Sequence, residues 1–305
     1  MTILHVVLLA VVQGLAELLP VSSSAHVVVA EKLMGLDPSS PAMTLLLVML
    51  HTGTMFAVIV YFWRQWVQAY FSSADAFKRF LVRLVWATAI TGIVGEALIK
   101  VIEHTLFAGA PKAQIEDLFG RLDLVAPALA AAGVLILIAG VLEARNEGDG
   151  TRAPSTLTGG ITRRPSGNVT MGQAGWMGLM QGLALPFRGF SRSGVTISIG
   201  MLTGAVKERA ERFSFAMAVA VTPLAIGREA LRLMHARKDA AAMGTPLDLH
   251  ATAVMSLLGM GCAFLAGLVA LKWLSNWLEN GRWYLFGIYC LAASAAVFWL
   301  HMRGY

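Results

Sequence analysis

Two short segments of this chain gather reactive side chains inside otherwise apolar surroundings. The first reads Gln13-Gly14-Leu15-Ala16-Glu17-Leu18-Leu19-Pro20-Val21-Ser22-Ser23-Ser24-Ala25-His26. Gln13 and Glu17 are four residues apart and share one helix face. Ser22 or Ser23 is the expected N-cap of a new helix, whose first N–H groups and dipole form an anion site. His26 lies one turn beyond these serines, within reach of a hydroxyl. A serine with a histidine and a carboxylate nearby is the minimum for an activated nucleophile. The structural alternative is a capped helix with a hydrogen-bonded histidine.

The second segment is Gly189-Phe190-Ser191-Arg192-Ser193-Gly194-Val195-Thr196. Its glycines allow close backbone approach, and its hydroxyls and N–H groups can donate to phosphate oxygens. Arg192 offers a planar fork that matches two such oxygens. Arg188 adds a second cation, and snorkelling at an interface accounts for it equally well. The two segments together suit attack on a phosphoryl group of an amphiphile, where positioning and charge neutralisation dominate. In this chemistry Glu17 serves as a base or as a ligand for a divalent cation. There is no Walker A lysine motif, no His-Glu-x-x-His and no Gly-x-Ser-x-Gly. The next histidine after Arg192 is His235, too distant for an acid-phosphatase-type lipid phosphatase.

The elements that carry these segments follow from hydropathy. Of 305 residues, 57% are hydrophobic and 14% charged, against roughly a quarter charged in an average soluble domain. That excludes an ordinary cytosolic enzyme, a disordered chain and a nucleic-acid module, and points to a polytopic membrane protein. Six stretches are long enough to cross a bilayer: 43–62, 84–102, 122–143, 213–235, 250–273 and 283–302. Residues 2–36 and 170–204 are apolar but broken at Leu19-Pro20 and Leu185-Pro186, and each is expected to form a re-entrant helical hairpin. The N-terminus lacks a basic region, and Gln13 and Glu17 interrupt its apolar run, so a removable signal is not expected. Cys262 and Cys290 lie in apolar runs and read as small apolar residues.

The two broken stretches resemble each other. Gln13-Gly14-Leu15-Ala16 parallels Gln181-Gly182-Leu183-Ala184, and each stretch precedes three crossings. The expectation is one all-α membrane domain over 1–305. It is built from inverted-topology repeats at 1–143 and 169–305, joined by a cytoplasmic linker at 144–168. Paired broken segments in inverted repeats point to a ligand site. The net charge of +6 reads mainly as basic cytoplasmic loops. Lys and Arg concentrate in loops 63–83, 144–168, 205–212 and 274–282, which places the first hairpin toward the outer face.

The motifs resemble those of the bacterial undecaprenyl-diphosphate phosphatases, the bacitracin-resistance family. Gln13 through His26 is similar to the family's first motif, and Gly189-Phe190-Ser191-Arg192-Ser193-Gly194 through Ser198 to its second. The resemblance covers nearly the whole chain. It implies hydrolysis of undecaprenyl diphosphate to undecaprenyl phosphate at the outer face of the bacterial cytoplasmic membrane, which recycles the carrier lipid for cell-wall synthesis. It implies Ser23 as nucleophile, with Glu17 and His26 in proton transfer. Arg192, Ser191, Ser193 and Thr196 would hold the diphosphate, with Ser22 as a supporting hydroxyl and Gln13 and Arg188 on the substrate side. A divalent cation, magnesium or calcium, is implied, with Glu17 as its candidate ligand. The partners expected are the polyprenyl diphosphate and membrane lipids, with no nucleic acid and with a homodimer as one arrangement. Gln13 departs from the family's usual Glu, and Arg188 stands at a usual proline. A polyprenyl-phosphate flippase on the same scaffold is the alternative, but it has no need of Ser23 with His26 and Glu17.

Overall fold

A computed structural model describes residues 2–36, 41–106, 118, 120–148, 168–242, 249–278 and 282–304. Among them the regular structure is helical throughout. Residues 149–167, most of the expected linker, lie outside the described set, as do parts of several loops used to assign orientation.

Both broken stretches are helix–turn–helix units. The first comprises α1 (Ile3–Leu18) and α2 (Ser23–Leu33), and the second α6 (Met171–Ala184) and α7 (Arg192–Leu202). At 1.5 Å per residue the 16 residues of α1 reach about 24 Å and the 11 of α7 about 16 Å. Neither spans a hydrocarbon core of about 30 Å. Local chemistry sets the boundaries. Thr2 accepts from the His5 N–H at the start of α1. Thr170 and Gln173 form a reciprocal capping box at the start of α6, which satisfies two otherwise orphaned donors.

Six long helices follow the hairpins: α3 (Pro41–Tyr70), α4 (Ala74–Leu106), α5 (Leu122–Gly148), α8 (Lys207–Ala242), α9 (Leu249–Leu278) and α10 (Tyr284–Met302). Five of these are long and apolar enough to cross a membrane: α3, α4, α5, α9 and α10. The stretch 213–235 is helical within α8 but is not one of the five. Its apolar run is cut in sequence by Arg228, Glu229 and Arg232. Large apolar side chains such as Ile93, Leu265 and Val269 are exposed on the outer faces, an arrangement that suits lipid as solvent.

The two halves pack by exchange. α1 lies against α9, and α6 against α4. Both contacts run parallel. Gly14 faces Ala263 and Ala266 while Gly267 faces Leu18, and Gly178 faces Ala87 while Gly182 faces Thr91 and Val94. A methyl group at Gly14 would strike Ala266 and the Ala263 carbonyl, and one at Gly182 would strike Val94 and the Thr91 carbonyl. These glycines occupy matching places in the two similar segments, and each lets a hairpin helix seat on the other half. α5 and α10 run antiparallel, with Gly140 against Tyr284 and the Ser294 hydroxyl donating 2.7 Å to the Ala126 carbonyl. α3 and α8 meet antiparallel through aromatic side chains, with the Phe62 ring tilted against Phe215 and the Trp66 indole donating to the Arg212 carbonyl. The buried indole of Trp283 donates to Ser198 at 3.0 Å and ties α10 to α7.

Candidate active site

The two hairpin turns meet. The Gly189 N–H donates to the Ser24 hydroxyl at 3.3 Å, and the Ser193 hydroxyl donates to the Leu19 carbonyl at 3.3 Å. Gly189 has φ +105, and a side chain there would strike the Val125 carbonyl. Only glycine lets the second turn reach α5 in this conformation.

Each second helix begins with a left-handed serine: Ser22 at φ 66 and Ser191 at φ 44. Among the described residues they are the only non-glycine positions with positive φ. Ser22 is thus the N-cap, as one of the two expected candidates, but it does not cap with its side chain, nor does Ser191. The first-turn N–H groups of α2 and α7 are therefore left without that partner. A non-glycine residue in this region costs on the order of 1–3 kcal/mol, and such strain clusters at functional sites. Ser23 and Arg192 are the first helical residues after these turns, so they occupy the same position in the two halves.

Both converge on Glu17, at the end of α1. The Ser23 hydroxyl donates to Glu17 Oε2 at 2.5 Å, and the Gln13 amide donates to the same oxygen at 3.0 Å. Arg192 Nη2 donates to Glu17 Oε1 in a salt bridge. The Glu17 side chain is only 11% exposed and that of Arg192 27%. Gln13 is fully buried, and its i,i+4 spacing from Glu17 gives the contact expected on one helix face.

Other expected residues are placed differently. His26 does not turn to a serine hydroxyl. Its Nδ1 lies 2.8 Å from the Ser22 carbonyl and its Nε2 2.6 Å from the Tyr289 hydroxyl, with the two rings stacked. A carbonyl only accepts, so Nδ1 donates, and neutral His26 receives the Tyr289 proton at Nε2. Thr196 is buried. Its hydroxyl lies 2.7 Å from the Arg192 carbonyl, to which it donates, and 2.6 Å from the Ser214 hydroxyl. It braces the first turn of α7 from within. The Ser191 hydroxyl is buried without a hydrogen-bond partner. Ser22 lies 3.3 Å from Ser24, hydroxyl to hydroxyl, and Arg188 is half-buried in the second turn.

Sequence reasoning missed His51 and Tyr289. His51 Nε2 lies 3.6 Å from Glu17 Oε2, and its Nδ1 lies 2.8 Å from the Leu47 carbonyl. An ionisable side chain inside the apolar stretch 43–62 is the same signal that marked Glu17. Tyr289 carried no such signal, because tyrosine is common in apolar helices.

Beside the cluster is a cavity of about 540 Å³, lined by Val12, Leu15, Leu19 and Phe286 among others, with His26 and Tyr289 at its polar edge. The surroundings are thus apolar on one side and strongly polar on the other.

Glu17 does not suit a resident divalent cation. Oε1 faces a guanidinium, and Oε2 receives an O–H and an N–H. Among the described residues no three His, Cys, Asp or Glu side chains converge as ligands.

An apolar helical frame, a buried hydroxyl–carboxylate–guanidinium cluster and an adjoining apolar cavity define a multi-pass membrane protein with a site for an anionic amphiphile. The family model "Bacitracin resistance protein BacA" matches residues 6–296, and the chain belongs to that family. It is 53% identical, over 97% of both chains, to Undecaprenyl-diphosphatase 2 of Acinetobacter baylyi. It is 34% identical to Undecaprenyl-diphosphatase of Acidiphilium cryptum, over 95% of each chain. Its identity to Undecaprenyl-diphosphatase of Moorella thermoacetica is 31%, over 98% of this chain and 99% of the relative.

Proposed function

We propose that this protein hydrolyses undecaprenyl diphosphate to undecaprenyl phosphate and phosphate. The observation that carries the reading is the 2.5 Å hydrogen bond from the Ser23 hydroxyl to Glu17, with Arg192 bound to the other carboxylate oxygen. Ser23 is the nucleophile. Its oxygen attacks the terminal phosphorus, the proton passes to Glu17 Oε2, and the bridging P–O bond breaks to release the lipid monophosphate. Water then cleaves the phosphoserine and returns a proton to Ser23. Arg192 neutralises charge on the transferring phosphoryl group, as phosphoryl transfer requires. The unspent N–H groups at the starts of α2 and α7, together with Ser191 and Ser193, receive the remaining oxygens.

Glu17 rather than His26 is the base. Both nitrogens of His26 are engaged by Ser22 and Tyr289, so His26 orients the polar edge of the cavity. The apolar cavity receives the first part of the prenyl chain. A divalent cation, magnesium or calcium, belongs to this reading only as a counter-ion carried by the diphosphate.

The exchange of α1 and α6 between halves and the antiparallel α3–α8 and α5–α10 pairs support inverted repeats with two re-entrant hairpins and α8 as a sixth crossing. The distribution of Lys and Arg supports a site facing outward from the bacterial cytoplasmic membrane. The test is phosphate release from a polyprenyl diphosphate by the purified protein in detergent. Wild type releases phosphate and Ser23→Ala does not. Full activity in Ser23→Ala refutes the nucleophile. Lipid translocation in vesicles without phosphate release by the wild type favours a flippase.

A further inference from the structure

We infer that His51 is the proton acceptor behind Glu17, a positioning and relay residue for the reaction proposed above, on which this inference rests. The backbone sets its tautomer. The Leu47 carbonyl 2.8 Å from Nδ1 can only accept, so Nδ1 carries a proton. Neutral His51 therefore presents a bare Nε2 lone pair to Glu17 Oε2, 3.6 Å away. A lone pair facing a carboxylate oxygen is favourable only with a proton between them. Ser23 supplies that proton when it attacks. It leaves Ser23 Oγ as the Oγ–P bond forms, reaches Glu17 Oε2, and moves to Nε2. The products are imidazolium and a carboxylate that is again anionic beside Arg192. The leaving undecaprenyl phosphate is stable as an anion and needs no proton. When water cleaves the phosphoserine, its oxygen bonds to phosphorus as the Oγ–P bond breaks. One of its protons returns to Ser23, the other stays on the released phosphate, and His51 gives the proton it took from Ser23 to solvent.

The surroundings fit this role. The Glu17 side chain is 11% exposed and cannot discharge a proton readily, whereas that of His51 is 42% exposed. The charged groups near the pair are Glu17 from α1 and, behind it, Arg192 from α7. Where α9 packs on α3, Gly53 touches Met260, and in residues 255–263 only Cys262 is titratable. α8 and α4 meet α3 further along, through Phe62, Trp66 and Tyr70. His26 points away, to Tyr289. Among the described residues no second base faces Glu17 Oε2, and Arg192 disfavours leaving that proton on the carboxylate.

The experiment follows phosphate release from a polyprenyl diphosphate against pH for wild type, His51→Gln and His51→Ala. Each is first checked by size-exclusion chromatography. Glutamine keeps an N–H donor toward Glu17 but does not titrate. The expected result is a kcat at least about a hundredfold lower in His51→Gln, the low end for a lost proton acceptor, with KM nearly unchanged. The acid limb of the wild-type profile disappears. Imidazole restores His51→Ala in proportion to its free-base concentration. A wild-type profile in His51→Gln overturns the inference. So does a loss in His51→Ala that glutamine repairs and imidazole does not, because that marks a packing role. Wild type that releases no phosphate overturns the phosphatase reading itself, and the relay with it.

Discussion

The contact between Glu17 and Arg192 joins the two halves of the site, and a double-mutant cycle measures it. Glu17→Gln keeps the shape but removes charge and basicity, and loss of a general base costs about 10²–10⁴-fold in rate. Arg192→Lys keeps a cation but removes the planar fork. A hydrogen bond to a charged group contributes about 1.5–3 kcal/mol, or about ten- to a hundredfold in kcat/KM at 1.4 kcal/mol per decade. Independent losses would multiply to about 10³–10⁶-fold. The structure predicts less. Part of the cost of Arg192→Lys comes from leaving a carboxylate that is 11% exposed without its bound guanidinium. That part vanishes once Glu17 is glutamine. The expected coupling is about 1–3 kcal/mol, which leaves at most about 2 kcal/mol for the second change, so the double variant falls no more than about thirtyfold below Glu17→Gln. The assay is kcat/KM for phosphate release in detergent micelles near neutral pH, with all four proteins matched for monodispersity. Losses that add to within about 0.5 kcal/mol would refute the claim that this contact is part of the working site.

Ser191→Gly relieves a left-handed residue whose hydroxyl has no partner. It should raise thermal stability by up to about 1 kcal/mol and raise KM for the diphosphate, and an unchanged KM removes Ser191 from the binding set. At the start of α8, burial pushes the Glu211 carboxyl up to about 8, with Glu208 adding to the shift. The folded state then holds a proton that the unfolded state has released between roughly pH 4.5 and 8. Thermal stability should therefore fall as pH rises through that window, and Glu211→Gln should flatten the slope when melting is followed from pH 5 to 8. Magnesium titrated calorimetrically onto the substrate-free protein should give the same isotherm for wild type and Glu17→Gln, since the carboxylate oxygens are already engaged. A Glu17-dependent site would contradict that assignment.

The sequence was most readable where one element decides the outcome. Leu19-Pro20 and Leu185-Pro186 stop their helices, and hydropathy places the long ones. The contact from Gln13 to Glu17 follows from helix periodicity alone. Other features depend on residues far apart in the chain. His26 had a plausible serine one turn away, yet its Nε2 is held by Tyr289, 263 positions distant. Thr196 stands in a phosphate-like motif, yet Ser214 on α8 draws its hydroxyl inward. The αL backbones of Ser22 and Ser191 were hidden as well. Serine ordinarily caps from extended backbone, and local preference gives no sign that the approach of two turns will override it. His51 was readable and passed over. The rule that an ionisable side chain in an apolar helix marks function applied to it as well as to Glu17.

The likeness between the halves explains why the site contains what it does. Two similar turns, each ending in a left-handed serine, open α2 and α7 and lie against each other. Were they identical in chemistry, two equal sets of hydroxyls and N–H groups would face a diphosphate. That would give a good anion cradle with neither a base nor a fixed counter-charge. Instead the first helical position is serine in one half and arginine in the other. The carboxylate at the end of α1 has no counterpart, since the second segment runs from Ala184 through Leu185 to Pro186. A single Glu17 therefore accepts a hydrogen bond from the Ser23 hydroxyl of its own half and binds a guanidinium from the opposite half. Adding a second carboxylate to the turn of α6 should compete for Arg192 and repel the phosphate. In the proposed reaction the asymmetry thus divides labour between nucleophile and charge, and the matching backbone turns hold the two at one point.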